Sequence, residues 1–108
     1  MARGLARGDI WLYRFKTPDR RRPVVVISRQ AAIGLLHTVM VAPITTTMRG
    51  APSEVAVGPH EGLKHESAVN LDHVQTVEQA RLVQYVGSLG AAKLRDLCRA
   101  LAVASGCD

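Results

Sequence analysis

The chain has 108 residues, of which 47% are hydrophobic and 21% are charged, and these values exclude both a disordered chain and an enzyme with separate cofactor and substrate lobes. Its formal net charge of +5 is uneven, because residues 1–54 carry nine Lys and Arg against three Asp and Glu, whereas residues 55–108 carry five against six. The basic half indicates an anionic partner, most commonly nucleic acid, although a face that merely keeps the protein in solution explains the charge equally well.

The first half begins with two predicted strands on either side of a basic turn. Residues 9–15 alternate in side-chain direction, with the three aromatic side chains on one side, and predict a strand. Residues 17–22 predict a turn that ends in three arginines. Residues 23–28 are a β-branched run, typical of a strand buried on both faces, and proline is tolerated at its first position.

Four further strands are predicted along the chain, separated by polar or glycine-containing loops. They cover residues 36–44, 54–57, 67–77 and 82–86. The run at 67–77 carries polar side chains in its middle on both faces, which a strand buried in the core would not do. Residues 78–81 predict a turn.

Helical periodicity occurs at the end of the chain. Residues 91–104 place one apolar stripe on a helix, capped by Ser88 or Gly90 and ended at Gly106. The stripe consists of Leu94, Leu97, Cys98 and Leu101. About six strands followed by one helix predict a mainly β domain, a small and strongly curved antiparallel sheet or barrel with the helix over an open side.

Cysteine and histidine usage predicts a reduced, cytoplasmic protein without a cofactor or a metal ion. Cys98 and Cys107 make neither a disulfide framework nor a zinc pattern. The nearest cluster of metal-ligating residue types is interpreted as solvated loop surface; it comprises His60, Glu61, His65 and Glu66. Residues 1–9 lack the apolar stretch of a signal peptide, and no apolar run is long enough to span a membrane.

Three groups of side chains each have a functional and a structural interpretation. The arginines of residues 20–22 match phosphate geometry, or they are charges that solubilise the strand that follows. The threonines of residues 45–47 hydrogen-bond a phosphate, or they reflect strand and turn preference. The polar residues between 70 and 75 read the base edges of a single strand, or they form a hydrogen-bonded corner.

Four segments, taken together, resemble the MazF/PemK/Kid family of toxin endoribonucleases from type II toxin–antitoxin pairs. The segments keep the family order and spacing, and Arg81-Leu82 and the C-terminal helix follow them. They are residues 7–11 (RGDIW), 22–28 (RPVVVIS), 42–47 (APITTT) and 67–76 (SAVNLDHVQT). The loop of residues 15–22 departs from the family, because it is shorter and more basic than the acidic, glutamine-containing loop of many members.

The resemblance implies a mainly β fold with a C-terminal helix, an SH3-like small barrel of the CcdB/MazF plasmid-maintenance-toxin type, formed by the single domain of residues 1–108. It further implies a homodimer that cleaves single-stranded RNA (mRNA, rRNA or tRNA) without metal. The substrate's 2′-OH would attack the adjacent phosphorus and leave a 2′,3′-cyclic phosphate and a 5′-OH. The implied protein partner is a cognate antitoxin with an acidic tail, which would suit a basic cleft.

The resemblance also assigns site residues. Arg22, before the proline of the second strand, falls on the family's catalytic arginine, and Thr45 falls on its catalytic threonine. His73 and Asp72 are the candidates to assist proton transfer. The expected RNA-binding residues are Arg20, Arg21, Thr46, Thr47, Arg49, Asn70, Asp72, His73 and Gln75.

Two other functions use the same small barrel. One is a toxin like CcdB, which is not a nuclease and acts on a protein target such as DNA gyrase through its C-terminal helix. The other is a passive module that binds RNA without cleaving it. Arg22 and Thr45 favour the nuclease over the gyrase-directed toxin, which does not need this pair.

Overall fold

The structure is a computed structural model that describes residues 4–16 and 20–108. Seven strands, two α-helices and three short 3₁₀ turns form the described part of the chain. The strands are β1 (Asp9–Arg14), β2 (Arg21–Val26), β3 (Thr38–Thr45), β4 (Glu54–Val57), β5 (Ser67–Asn70), β6 (Gln75–Glu78) and β7 (Leu82–Ser88). The helices are α1 (Gln30–Ile33) and α2 (Ala91–Ser105), and the 3₁₀ turns are Pro59–Glu61, Leu71–His73 and Gln79–Arg81.

The strands form one antiparallel sheet in the order β4-β5-β3-β2-β1-β7, and β6 pairs with β3 outside this path. The long strand β3 therefore changes its neighbour along its length. Its first half pairs with β6, as in Val39↔Val77, and its end pairs with β5, as in Thr45↔Ala68. This change of partner bends the sheet into the curved, mainly β architecture that the sequence predicts.

Each face of the curved sheet buries its own apolar cluster. The first cluster lies under α2 and includes Ile10, Val25, Ala42, Ile44, Val69, Leu71 and Leu97. The second lies on the opposite face and consists of Trp11, Val24, Val26, Ile33, Val39, Val41, Val77 and Leu82. The strict alternation of a strand sends its successive side chains into these two clusters, so the strands that supply both cores are fixed in register.

The helix α2 confirms the predicted C-terminal helix and its caps. Gly90 is its N-cap, and Gly106 ends it in the left-handed conformation with a φ of 77°. Leu97 and Ala100 are buried against the sheet, whereas the prediction that Cys98 belongs to the buried stripe is wrong, since Cys98 is exposed. Within residues 4–16 and 20–108, no helix has both the length and the apolar character needed to cross a membrane.

Two strand predictions are corrected by hydrogen bonds. Residues 21 and 22 belong to β2 and not to the turn, because pairing with β1 continues through Tyr13↔Arg22 and Arg14↔Arg21. Residues 17–19 of that predicted turn lie outside the described residues. Residues 67–77 are not one strand, because the Asn70 side chain accepts a hydrogen bond from the Asp72 amide and caps a 3₁₀ turn between β5 and β6.

The short helix α1 was not predicted, since four residues carry no helical periodicity.

The turn at Pro59–Glu61 packs directly on the backbone of β7. Gly62 ends this turn with a φ of +96°, and a Cβ added at Gly87 would overlap the carbonyl oxygen of Glu61. Two glycines therefore allow a contact between two backbones that no other residue type would permit.

The variant Gly87→Ala is expected to destabilise the protein by about 3 kcal/mol, because the new methyl group must displace the backbone of the turn. Urea denaturation measures this change. Gly34→Ala is the matched control, since Gly34 has a right-handed conformation and open space around it. Equal urea midpoints for the two variants would contradict the close backbone contact.

Candidate functional site

The sheet register places Arg22 beside Thr45. Tyr13 is the partner of Arg22 in β1, and Val24 is the partner of Pro43 in β3. The β2–β3 pairing ends at Val24↔Pro43, and Arg22 and Thr45 each lie two residues beyond that pair, on the face that also carries Val24. Two residues that are 23 positions apart in the sequence are thus neighbours at the end of the sheet.

Arg22 and Thr45 line one open cleft of about 380 Å³ between the start of β2 and the end of β3. The three consecutive arginines are exposed, whereas Thr45 is half-buried. The complete lining consists of Arg20, Arg21, Arg22, Pro23, Ile44, Thr45, Thr46 and Ser67. The predicted residues Arg20, Arg21 and Thr46 therefore lie together with Arg22 and Thr45.

The Arg22 guanidinium is available to a ligand. Within residues 4–16 and 20–108, its side chain has neither a carboxylate partner nor a hydrogen bond to the protein. A guanidinium presents five N–H donors in a planar fork that fits phosphate oxygens. The cleft thus offers an anion a charged donor to which no other described residue is bound.

The Thr45 hydroxyl is oriented by the backbone that follows it. Its Oγ1 accepts a hydrogen bond from the Thr47 amide at 3.1 Å. Because the oxygen acts as the acceptor in this turn, its own O–H remains free to donate into the cleft.

Two predicted residues lie beyond the cleft. Thr47 and Arg49 are exposed and do not contribute to its lining. The loop that carries them is held by Glu54, whose Oε1 accepts from the amides of Arg49 at 3.1 Å and Gly50 at 3.0 Å. This loop extends the polar surface from the end of β3 toward the edge strand β4.

The polar residues after β5 divide into two groups. His73 and Gln75 line a pocket of about 40 Å³ beside Tyr13 and Phe15, and Asn70 approaches the His73 Nδ1 with its Nδ2 at 3.3 Å. This pocket borders the face that carries Arg22, because Val24 and Pro43 also line it. His73 and Gln75 are therefore presented next to the cleft, on its own side of the sheet.

Asp72 belongs to a different arrangement. Its Oδ2 accepts a hydrogen bond of 2.6 Å from the hydroxyl of Ser53, which is only 5% exposed. The backbone carbonyl of Ser53 also accepts from the Leu71 amide at 3.0 Å. Asp72 lines neither the cleft nor the pocket, so the structure does not bring its carboxylate together with Arg22 and Thr45.

Metal-ligating side chains do not converge in the described part of the chain. No three His, Cys, Asp or Glu side chains of residues 4–16 and 20–108 are grouped so that they would hold a metal ion. In the loop that contains the predicted solvated cluster, Glu61 instead accepts a hydrogen bond of 2.7 Å from the Gly58 amide.

Sequence reasoning missed several residues around the site. Tyr13 and Phe15 form an edge-to-face pair with ring centroids 4.9 Å apart, and the guanidinium of Arg20 lies 5.7 Å from the centroid of Phe15. The alternation of residues 9–15 placed these rings on one face, but only the register shows that it is the face of Arg22. Ser53 carried no signal, because a serine next to a strand is commonplace, and Ser67 was part of a family segment without being assigned to the site.

Comparison with protein families and curated proteins identifies close relatives. Residues 6–104 match the family of PemK-like, MazF-like toxins of type II toxin–antitoxin systems. The "Probable endoribonuclease MazF5" of Mycobacterium tuberculosis is 47% identical over 104 residues, which are 95% of this chain and 94% of that protein. The endoribonuclease MazF3 of the same species is 38% identical over 90 residues, which are 83% of this chain and 87% of that protein.

Solved structures share the fold, which confirms the predicted fold class. The Mycobacterium tuberculosis toxin MazF-mt6 gives a TM-score of 0.84 at 35% identity and covers 93% of this chain and 98% of its own. An endoribonuclease in complex with its cognate antitoxin, from a mycobacterial species, gives a TM-score of 0.86 at 28% identity and covers 97% of this chain and 98% of its own.

The Ser53–Asp72 hydrogen bond is expected to stabilise the turn that precedes His73. Ser53→Ala should lower the free energy of unfolding by about 1.5 kcal/mol, because the carboxylate loses a charge-assisted hydrogen bond. Urea denaturation of Ser53→Ala, Asp72→Ala and the double variant measures the coupling directly. Strictly additive losses would show that the two side chains do not interact.

Proposed function

The chain belongs to the family of PemK-like, MazF-like toxins of type II toxin–antitoxin systems, and we propose that it cleaves single-stranded RNA in the cleft between β2 and β3. It is an endoribonuclease, as are the relatives that are 47% and 38% identical to it. The observation that supports the location is that Arg22 and Thr45 line the same open cleft, each two residues beyond the last β2–β3 pair, Val24↔Pro43.

The proposed reaction takes its nucleophile from the substrate. The 2′-OH of one nucleotide attacks the adjacent phosphorus, the bond to the 5′-oxygen of the next nucleotide breaks, and the products are a 2′,3′-cyclic phosphate and a 5′-OH. No metal ion or cofactor is required. The protein has to hold the two oxygens in line, neutralise the charge that develops on the nonbridging oxygens, and move two protons.

Arg22 neutralises the developing charge. Its planar fork donates to the nonbridging oxygens of the scissile phosphate, with no competing carboxylate among the described residues. Thr45 donates its hydroxyl to the same group from the opposite strand, oriented by the Thr47 amide. The backbone positions of both residues are fixed before substrate arrives, because both belong to strands rather than to loops.

The remaining polar residues hold the RNA on either side. Arg20, Arg21 and Thr46 face neighbouring phosphates in the cleft, and Thr47 and Arg49 continue this surface. Asn70, His73 and Gln75 read bases beside the aromatic pair Tyr13–Phe15. His73 is the group that assists proton transfer, because its ring borders the face of Arg22, whereas the Asp72 carboxylate is bound to Ser53 and acts on the position of the turn.

The proposed partners are a cognate antitoxin in the cytoplasm and a second copy of the chain. The mycobacterial relative in the 28% identical structure is held in complex with its antitoxin. An acidic antitoxin segment would compete with RNA for the same exposed arginines. Exposed apolar side chains support self-association, since Leu35 is 80% and Leu36 is 55% exposed.

The single toxin domain spans residues 1–108, as the family match over residues 6–104 supports.

The catalytic assignment predicts that Arg22→Ala and Thr45→Val each lower the rate of RNA cleavage by about 100-fold or more, because each removes a donor to the phosphate in the transition state. Thr45→Ser should retain most of the activity, since it keeps the hydroxyl. The assay incubates purified protein with a long RNA in EDTA and sequences the fragment ends, which should carry a 5′-OH.

Arg95→Gln is the matched control, because it removes one positive charge from the exposed side of α2 and leaves the cleft unchanged. Full activity of Arg22→Ala, or equal activity of Thr45→Val and Thr45→Ser, would contradict the assignment. Cleavage that disappears in EDTA and returns with a divalent cation would contradict the reaction itself.

The proposed homodimer predicts a particle of about twice the 11.7 kDa mass of the chain in sedimentation equilibrium at micromolar concentration. A single species at the monomer mass would overturn this part of the proposal without affecting the cleavage assignment.

A further inference from the structure

Two arginines face each other across the β1–β2 pair, one residue away from the cleavage site. Arg14 is the register partner of Arg21, immediately beside the Tyr13↔Arg22 pair. Both side chains are exposed, and alternation turns them to the opposite face from Arg22. Like charges directly opposite each other in an antiparallel pair repel and destabilise it.

The described residues around the pair provide neither guanidinium with a carboxylate. Within residues 4–16 and 20–108, neither guanidinium forms an ion pair. Between Asp9 and Glu54 the sequence contains one acidic residue, Asp19, which lies outside the described residues. The carboxylate of Glu78 is 3.5 Å from the Nε of Arg81, while Nη1 of that same arginine donates to the Arg14 carbonyl at 3.1 Å. A third guanidinium, which has its own carboxylate partner, therefore lies against the backbone of Arg14.

The arginine pair is continuous with the cleft. Arg21 lines the cleft together with Arg22 and Thr45, although its side chain leaves β2 on the other face. This is possible because the cleft opens where β2 and β3 separate beyond the Val24↔Pro43 pair. An RNA strand with its scissile phosphate between Arg22 and Thr45 therefore continues past Arg21 and reaches Arg14.

We propose that Arg14 and Arg21 together form a second phosphate subsite, which binds one RNA phosphate other than the one being cleaved. The inference rests on the proposed function, since it assumes RNA in the cleft. A phosphate between two facing guanidinium groups replaces their repulsion with charge-assisted hydrogen bonds to both. Binding at this subsite holds the strand in line at the neighbouring phosphate and so contributes to positioning rather than to the chemical step.

RNA binding measured against salt concentration tests the subsite. The probe is a fully 2′-O-methylated RNA of ten nucleotides, which lacks the attacking hydroxyl and is not cleaved. The double variant Arg14→Gln/Arg21→Gln should reduce the slope of log K against log salt by about 0.7, which corresponds to one phosphate of a single strand. The control Arg95→Gln/Arg99→Gln removes the same charge from α2 and should keep the wild-type slope.

Cleavage of two substrates separates positioning from chemistry. Arg14→Gln leaves every residue of the cleft lining in place, so it should cleave a dinucleotide that contains only the scissile phosphate at the wild-type rate. Its kcat/KM for a ten-nucleotide RNA should fall about tenfold. The melting temperature of the free double variant should rise by about 2 °C, because the cross-strand repulsion is removed.

Each alternative outcome overturns a defined part of the inference. An unchanged salt slope and an unchanged kcat/KM on the long RNA, with an active wild-type protein, would reject the subsite and leave the proposed function intact. A slope reduced by about 1.4 would show two separate phosphates and reject the shared one. Weaker binding of poly-glutamate with unchanged RNA binding would assign the pair to an acidic protein partner. A wild-type protein that cleaves no RNA would instead reject the proposed function.

Discussion

The register of β3 with its neighbours is the constraint on which the site depends. Pro43 lies between the part of β3 that pairs with β6 and the part that pairs with β5. Because proline has no backbone N–H, the hydrogen bond that it cannot donate is missing at a position where β3 pairs with neither of these strands. Val39 and Val41 on one side of this point are buried in the second apolar cluster, and Thr45 on the other side faces Arg22. A slip by one residue would take both valines out of the second apolar cluster and turn Thr45 to the opposite face from Arg22, so the packing of the core fixes the geometry of the cleft.

The parts of the fold that follow from the sequence are those in which the secondary-structure preference of the residues agrees with the burial of their apolar side chains. The β-branched runs and the amphipathic helix fall in this class, and so do Arg22 and Thr45, whose motifs lie at the ends of such strands. The break at residues 70–73 was not predictable from alternation, because the pattern of polar and apolar residues continues through it. A single hydrogen bond, which the Asp72 amide donates to the Asn70 side chain, outweighs the pattern there, and β5 and β6 then pair with different parts of β3.

The position of the arginines within the fold shows how the protein accommodates a concentrated charge. Arg21 and Arg22 were predicted to belong to a turn, where they would be free to separate, but pairing with β1 holds them in a strand. The apolar side chains farther along these strands, Trp11 and Val24 among them, keep the strands together despite the repulsion at their ends. The packing of the core thus offsets the repulsion between the arginines and keeps them at defined positions on the strands. Proteins commonly accept such a loss of stability where function requires it.

The polar residues at 70–75 illustrate why residue type alone does not assign a role. Asp72, His73 and Gln75 lie within four positions of one another, yet the 3₁₀ turn directs the Asp72 carboxylate to Ser53 and directs His73 and Gln75 to the aromatic pair Tyr13–Phe15. Ser53 accepts from Leu71 and donates to Asp72, so it ties the edge strand β4 to the turn that presents His73. In the proposed reaction the carboxylate therefore acts through the rigidity of this turn, and His73 and Gln75, on the face of Arg22, are the residues proposed to meet the RNA.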